Sequence, residues 1–339
     1  MTLGAIDIHT HVVPFDFPPY LGSNPNVRWP SMVAVDPCHR NILFSGKKYR
    51  ELDDASWSIP RRLEAMDAMG VSMQVLSPMP ELLSYWLDEK DGIDFCRFLN
   101  GEIATMVAQA PNRFLGLGTV PLQDPVIAAK ELEVAMRFFG LKGVEIGTNV
   151  NGRPIGDPFF DPFFSAAEEL GVPIFVHAFH PAGKERIVGS PLLEAIVAYP
   201  CETAFAITSL ISSGMLERHP NLKLAFSHGG GAFALILPRF QHAWSIAPQL
   251  QKAILHAPTY YAEKLFYDNL VYDTKALNFL LDRFGASQVM IGTDYPFAIA
   301  EKDPLLQLKK LSIHPEVFDL LAAKNAATFL GIANRHAPE

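Results

Sequence analysis

The chain has 339 residues, 28 Lys and Arg against 36 Asp and Glu for a formal charge of -8, with 49% hydrophobic and 19% charged residues. Such a composition suits a globular enzyme of one elaborated domain, and an acidic balance without a basic stripe argues against a nucleic-acid partner. No 18-residue apolar run and no basic-then-apolar leader is read, and Cys38, Cys96 and Cys201 are too scattered for a disulfide framework, so the expectation is a cytoplasmic protein without a membrane span.

Residues 3–8 read as a first strand. Residues 12–57 follow no period: Pro14, Pro18, Pro19, Pro25, Pro30 and Pro37 are interspersed with Trp29, Phe44, Tyr49 and Trp57. A stretch this long is unusual as a plain connection, and its aromatics predict an inserted lobe that packs. A helix over 59–69 presents Leu63, Met66 and Met69 on one face and stops at Gly70. Strands are expected at 72–77, 114–120, 142–146 and 172–176, separated by helices at 93–110, 125–139 and 159–170. Asp124-Pro125 suits a cap followed by an N1 proline. By order, a sixth strand falls at 203–207 and a helix at 208–218. A seventh strand is expected at 222–226, a helix at 233–244 despite Pro238, mixed loop and helix over 245–270, a helix at 274–284, an eighth strand at 288–291 and a helical tail at 315–330.

Eight strands alternating with helices predict an α/β fold, a (β/α)8 TIM barrel, as one domain over 1–339 with a small inserted lobe at about 12–57 after the first strand and C-terminal helices. An open doubly wound sheet is the alternative, but its sites gather at one topological switch point.

The barrel reading gains force from where polar residues fall. In Ile6-Asp7-Ile8-His9-Thr10-His11, alternation puts both histidines on one face. His177, His228 and Asp294 each follow later apolar runs. His9, His11, His177 and Asp294 together suit Zn²⁺, with Mn²⁺, Fe²⁺ or Co²⁺ also compatible. Such an ion lowers the pKa of a bound water towards about 7. Singly, each histidine could be a core residue bonded to a carbonyl and Asp294 an Asx-turn; one ion explains all four more economically. His228 precedes Gly229-Gly230-Gly231 and is expected to transfer protons, with ligation of a second metal as the alternative. Against two metals, no lysine ends the fourth strand.

These stretches carry a resemblance. Ile6 to His11, Val176-His177, Phe226-Ser227-His228-Gly229-Gly230-Gly231-Ala232-Phe233 and Gly292-Thr293-Asp294-Tyr295-Pro296-Phe297 resemble the metal-dependent amidohydrolase superfamily, in its decarboxylase branch. Weaker matches, such as Arg62 to Asp67 and Val120 to Asp124, extend it over nearly the whole chain. The resemblance implies zinc on His9, His11, His177 and Asp294, and His228 as acid/base. It also implies two arginines for substrate carboxylates: Arg50 from the lobe, and Arg239 lent by the neighbouring subunit of a homodimer. By residue type alone, Arg28, Arg40 and Arg61 would qualify as well as Arg50.

One loop departs from that branch. Ala178-Phe179-His180-Pro181-Ala182-Gly183 stands where semialdehyde-cleaving members place Pro-Trp-Asp, so His180 is expected to face substrate as a hydrogen-bond donor. The function implied is non-oxidative decarboxylation of a small unsaturated or aromatic carboxylic acid, 2-amino-3-carboxymuconate 6-semialdehyde or a close analogue, through metal-activated hydroxide and His228. Hydrolysis of a lactone or amide, hydration of an unsaturated dicarboxylate, and a non-catalytic binding barrel remain as alternatives.

Overall fold

The apolar run that opens the chain forms β1 (Ala5–Val12), buried along its whole length in the computed structural model, which describes residues 4–332. After it come β2 (Pro30–Ala34), β3 (His39–Phe44) and β4 (Lys47–Asp53), which pair antiparallel in a sheet of their own. This sheet occupies the stretch in which no period was legible. Phe44, Ile42 and Leu52 turn into a cluster with Val13, Met79, Leu82 and Phe95, so the lobe packs onto the barrel through apolar contact.

The remaining strands are β5 (Val71–Pro78), β6 (Phe114–Gly118), β7 (Gly143–Gly147), the short ribbon β8 (Asn149–Val150) and β9 (Arg153–Pro154), then β10 (Ile174–His177), β11 (Leu224–Phe226), β12 (Phe266–Asp268) and β13 (Val289–Met290). The order β1-β5-β6-β7-β10-β11-β12-β13 is one parallel eight-stranded sheet. It closes on itself: Ile8 N donates to Ile291 O at 2.9 Å, His11 N to Tyr295 O at 2.7 Å, and Thr10 bridges Tyr295 in parallel. The expected (β/α)8 barrel is therefore present, with all edges removed by closure.

Helices α1 (Ile59–Met69), α2 (Glu89–Gln109), α3 (Pro125–Arg137), α4 (Asp161–Leu170), α5 (Tyr199–Ser212), α6 (Met215–Arg218), α7 (Phe233–Ile246), α8 (Pro248–Ala253), α9 (Pro258–Ala262), α10 (Thr274–Phe284), α11 (Pro304–Lys309), α12 (Pro315–Asp319) and α13 (Asn325–Phe329) complete the fold. Local chemistry sets several ends. Asp124 Oδ1 accepts from Val126 N and Ile127 N, both at 3.0 Å, ahead of Pro125 at the first turn of α3. Gly70 ends α1 in the left-handed region at φ 69, which a side chain would disfavour.

One expectation needs correction. Residues 203–207 lie inside α5, so the sixth barrel strand is β11 and the seventh is β12, within the stretch expected to be loop and helix. Thr203, Ala204, Ala206 and Ile207 are all buried because α5 packs against the barrel and α7. Only Phe205 of this five-residue window is exposed, and a run so short and apolar carries no alternation that would separate strand from helix. One described helix, Glu194–Ser212, is long and apolar enough to cross a membrane by length and composition alone, with mean hydropathy 1.4. Here it is partly buried, with Leu210 and Ile211 inside and Phe205 60% exposed.

Candidate metal centre and its cavity

All four expected ligands stand at the same end of the barrel. A register shift between Asp7 and Thr10 marks an irregularity in β1 beside its first histidine. Asp7 accepts from Thr293 N at 3.1 Å and Thr293 Oγ1 at 2.6 Å, fastening β1 to the chain after β13. His9, His11, His177 and Asp294 each offer a ligand atom within 4.8 Å of the others, and all four are buried.

The hydrogen bonds around these rings decide what their inner atoms are. His9 Nδ1–H donates to Asp268 Oδ2 at 2.7 Å, His11 Nδ1–H to Pro78 O at 3.1 Å, and His177 Nδ1–H to Ala178 O at 2.7 Å. With the protons on Nδ1, each Nε2 presents a lone pair. Yet His9 Nε2 and His11 Nε2 lie 3.0 Å apart, and Asp294 Oδ1 is 3.1 Å from His11 Nε2 and 3.5 Å from His9 Nε2. His177 Nε2 and Asp294 Oδ1 have no hydrogen-bond partner although buried. Each unsatisfied buried polar group costs about 1–3 kcal/mol. Lone pairs facing each other across a buried space fit a divalent cation, and three imidazoles with one carboxylate are a donor set for one.

His228 stands beside this cluster. Its ring centroid is 5.1 Å from that of His177 and 5.3 Å from that of His9, and its Nδ1 is buried without a partner. Its backbone sits in the left-handed region at φ 56, held because His228 N and Gly229 N donate to Asp268 at 2.9 and 2.8 Å. The glycines answer to close approach: a Cβ on Gly231 would fall 2.1 Å from Pro200 O, and one on Gly229 would fall 2.6 Å from Leu280 Cδ1.

Burial disfavours charge on most of these groups. It pushes His11 down to about 4, and holds His177 and His228 low together with charge on neighbouring histidines. His9 departs from this pattern. Burial lowers it too, but the hydrogen bond and charge of Asp268, with Asp294 and Glu145 behind, lift it to about 9. For Asp268 and Asp294, burial raises the pKa, but the hydrogen bond and charge of His9 on Asp268, and the close His11 and the charge of His9 beside Asp294, outweigh it and leave both low. Glu145, bonded to Ser77 Oγ at 2.5 Å, is pushed by burial up to about 8.

The cluster opens into a cavity of about 910 Å³ lined by His177, His228, Asp294, Arg50, Phe297 and Tyr199, among others. Arg50 lies 4.7 Å over the Phe297 ring, which in turn stacks on His11 at 5.1 Å. Among the described residues, no carboxylate lies within ion-pair distance of Arg50. Arg239 is exposed on α7 and does not line the cavity. His180 also lies outside its lining: at φ 38, it stacks on Phe179 at 3.8 Å and holds the Glu81 carboxylate at 3.2 Å.

Asp268 went unnoticed in the sequence because its strand did. The signal is there in Leu265-Phe266-Tyr267-Asp268, a short apolar run that ends in a carboxylate as the other site strands do. Glu81 and Tyr199 also line the cavity, and neither belongs to a motif that marks it.

The amidohydrolase family model matches residues 6–332. A 2-amino-3-carboxymuconate-6-semialdehyde decarboxylase of Dictyostelium discoideum is 35% identical over 329 residues, covering 96% of this chain and 91% of that protein. Among solved structures, the 5-carboxyvanillate decarboxylase of Sphingomonas paucimobilis superposes with a TM-score of 0.74 at 29% identity, over 80% of this chain and 82% of that one. The fold is shared also with a 5-carboxyvanillate decarboxylase of Novosphingobium aromaticivorans complexed with manganese, TM-score 0.74 at 24% identity over 82% of each chain.

Proposed function

Because the chain belongs to the amidohydrolase family, we propose that it is a metal-dependent decarboxylase of small unsaturated or aromatic carboxylic acids. The observation that carries this is the inward-facing set of His9, His11, His177 and Asp294 beside His228, at the mouth of a cavity that also holds an unpaired Arg50. The substrate put forward is 2-amino-3-carboxymuconate 6-semialdehyde or a close analogue, supported by the Dictyostelium relative's identity over almost the whole chain.

His9, His11, His177 and Asp294 would hold the ion, and zinc is the metal put forward. When bound, a divalent ion supplies Lewis-acid polarisation to substrate oxygens. The rest falls to the chain's own residues. Arg50 offers a planar fork for a substrate carboxylate, fixed by its stack on Phe297. Asp268 orients His9 and pins the backbone of His228. Neutral at ordinary pH through its lowered pKa, His228 lines the cavity and can take a proton there from a hydroxyl or water. It returns that proton to the carbon that loses its carboxylate. The carbon–carbon bond breaks, CO2 leaves, and the bond's electron pair forms the new C–H bond with that proton, while a proton from solvent restores the hydroxyl or water that gave it up. Leu192, Ile196 and Phe297 supply apolar cavity wall that limits water.

The active unit put forward is a homodimer in which Arg239 reaches the partner's cavity. In support, Arg239 is exposed on α7 beside Leu235, itself 74% exposed, and α5 next to it carries Phe205 at 60%. Lobe and barrel would act as one domain, since β4 contributes Arg50 to a cavity whose metal residues come from the barrel. His180 would act from outside that cavity, through Glu81. The cytoplasm is the compartment put forward, in keeping with three unpaired thiols.

The test is CO2 released per molecule of freshly made aminocarboxymuconate semialdehyde consumed by metal-loaded protein. Near one-to-one release, abolished by chelation, is expected. Consumption without CO2 would move the protein to the hydrolases or hydratases. Failure with this substrate but release from an aromatic acid such as 5-carboxyvanillate would keep the reaction and replace the substrate.

A further inference from the structure

Glu81 is a buried carboxylate, 7% exposed, in the short turn Pro80–Leu83 that follows β5 at the metal-bearing end of the barrel. It lines the metal cavity, yet no proton transfer or bond cleavage described above uses it. A carboxylate so placed is costly unless cations or hydrogen-bond donors answer it. Two side chains do. Arg28, from the loop before β2, bonds Glu81 Oε1, and His180 Nε2 lies 3.3 and 3.2 Å from its two oxygens.

Both partners are themselves fixed. The Arg28 guanidinium lies 4.1 Å over Trp86 and 4.9 Å over Phe44, and Trp86 Nε1 donates to Arg28 O at 2.9 Å. His180 stacks on Phe179 at 3.8 Å, while Asn149 Nδ2 holds Phe179 O at 2.6 Å. Arg28, Trp86 and His180 also line a second pocket of about 360 Å³ and are not among the residues lining the metal cavity, whereas Glu81 is. Burial raises its pKa, but the bonds and charges of His180 and Arg28 outweigh this and keep the carboxyl below its ordinary value.

An ionised carboxylate accepts hydrogen bonds and donates none. Arg50 faces the same cavity without a carboxylate partner. The cavity is thus polarised: a cation and the metal residues for a ligand's carboxylate, and an anion elsewhere in the wall. We propose that Glu81, gripped by Arg28 and His180, is a specificity-determining residue that selects carboxylates bearing an amino or hydroxyl substituent, by accepting that substituent's hydrogen bond. Second carboxylates and ether oxygens directed at this wall meet repulsion. The selection rests on the carboxylate-decarboxylating function proposed above, and it deepens that function by naming the substituent the substrate must carry.

Binding tests it without turnover. Manganese-loaded full-length protein is titrated by calorimetry with benzoate and with its amino, hydroxy and methoxy derivatives at each ring position. The wild type is expected to bind at least one amino or hydroxy ligand about tenfold or more tighter than the matching methoxy ligand, as a hydrogen bond to a charged group warrants. Glu81→Leu should erase that preference while benzoate still binds. Glu81→Gln, which keeps the shape and adds an amide N–H donor, should shift it towards methoxy, an outcome that mere structural support of the wall would not give. An unchanged donor preference in both variants, or equal weakening of every ligand, would overturn the proposal, as would failure of any benzoate to bind at millimolar concentration. CO2 release from the same ligands is read separately. Its absence alongside an intact donor preference would reject decarboxylation of these aromatic acids and leave the role of Glu81 standing.

Discussion

The Asp268 carboxylate and the His9 imidazole are bonded at 2.7 Å, and the same oxygen of Asp268 accepts from the backbone N–H of His228 at 2.9 Å. One carboxylate therefore sets the tautomer of a metal residue and the position of the proposed proton carrier. Asp268→Asn keeps the size but removes the charge, and its amide nitrogen meets N–H groups that need an acceptor. Loss of such an outer partner costs about 10- to 100-fold in metal affinity or activity. Competition for Mn²⁺ or Zn²⁺ against a chromophoric chelator should register that loss, and wild-type affinity in the variant would refute the role given to Asp268.

His177→Ala removes one inward Nε2 and leaves the lone pairs of His9, His11 and Asp294 in place. The variant is expected to purify without stoichiometric metal. In the wild type, added ion binds only the folded form, so metal at a thousandfold excess over its Kd should stabilise by about 4 kcal/mol. A rise in melting temperature on adding metal to the chelated wild type, and none in His177→Ala, would agree. Equal rises in both would place the ion elsewhere.

The sequence makes the metal residues legible because each ends an apolar run, and a strand that leaves the core at its last residue can only present that residue at the barrel mouth. His9 and His11 are legible for a different reason, their two-residue spacing. The failure at 203–207 is equally physical. Residues in α5 that face the barrel and α7 are apolar on several sides, so neither a 3.6 nor a 2 period emerges. β12 has only three residues, Phe266–Asp268, too few for a period at all. With that strand went Asp268. Glu81 and Tyr199 lie in turns and helix starts, where only the closed barrel shows that they share a cavity with His228.

The centre should make the metal-free protein sensitive to alkali. In the folded chain His9 is lifted from 6.5 to about 9, so the stability it adds is complete below pH 6.5 and is lost as pH rises through about 9. Glu145, raised by burial from 4.5 to about 8, acts in the same direction, because its ionisation is deferred only in the folded state. Between pH 6.5 and 9 the folded form thus holds more protons than the unfolded one, and stability falls as pH rises. Urea midpoints of chelated protein should drop across this window, and Glu145→Gln should flatten the slope. A midpoint constant or rising over the window would contradict the assignment.

His228→Ala separates proton transfer from ligation. The four metal residues remain, and the only contacts that His228 makes with Asp268 are through its backbone, which the substitution retains. Metal content should stay at the wild-type level while kcat falls about 10²- to 10⁴-fold, the range for loss of a positioned acid/base. Joint loss of metal and activity would make His228 a ligand, and near-normal kcat would remove it from the chemistry.

Arg239 is exposed on α7 and outside the cavity lining of its own subunit, so its proposed role can be met only across a dimer. Complementation gives that requirement a sharp consequence. His228→Ala and Arg239→Ala proteins are each expected to be inactive or nearly so. In a hybrid dimer, the Arg239→Ala subunit keeps His228 and receives Arg239 from its partner, which makes one complete site out of two. Random exchange should then restore about a quarter of the wild-type activity, on a twofold interface in which each subunit lends the same residue. Unmixed proteins supply the baseline, and sedimentation confirms that exchange has occurred. No recovery despite exchange would mean that Arg239 does not serve the neighbouring site, and full activity of Arg239→Ala alone would remove it from substrate binding altogether.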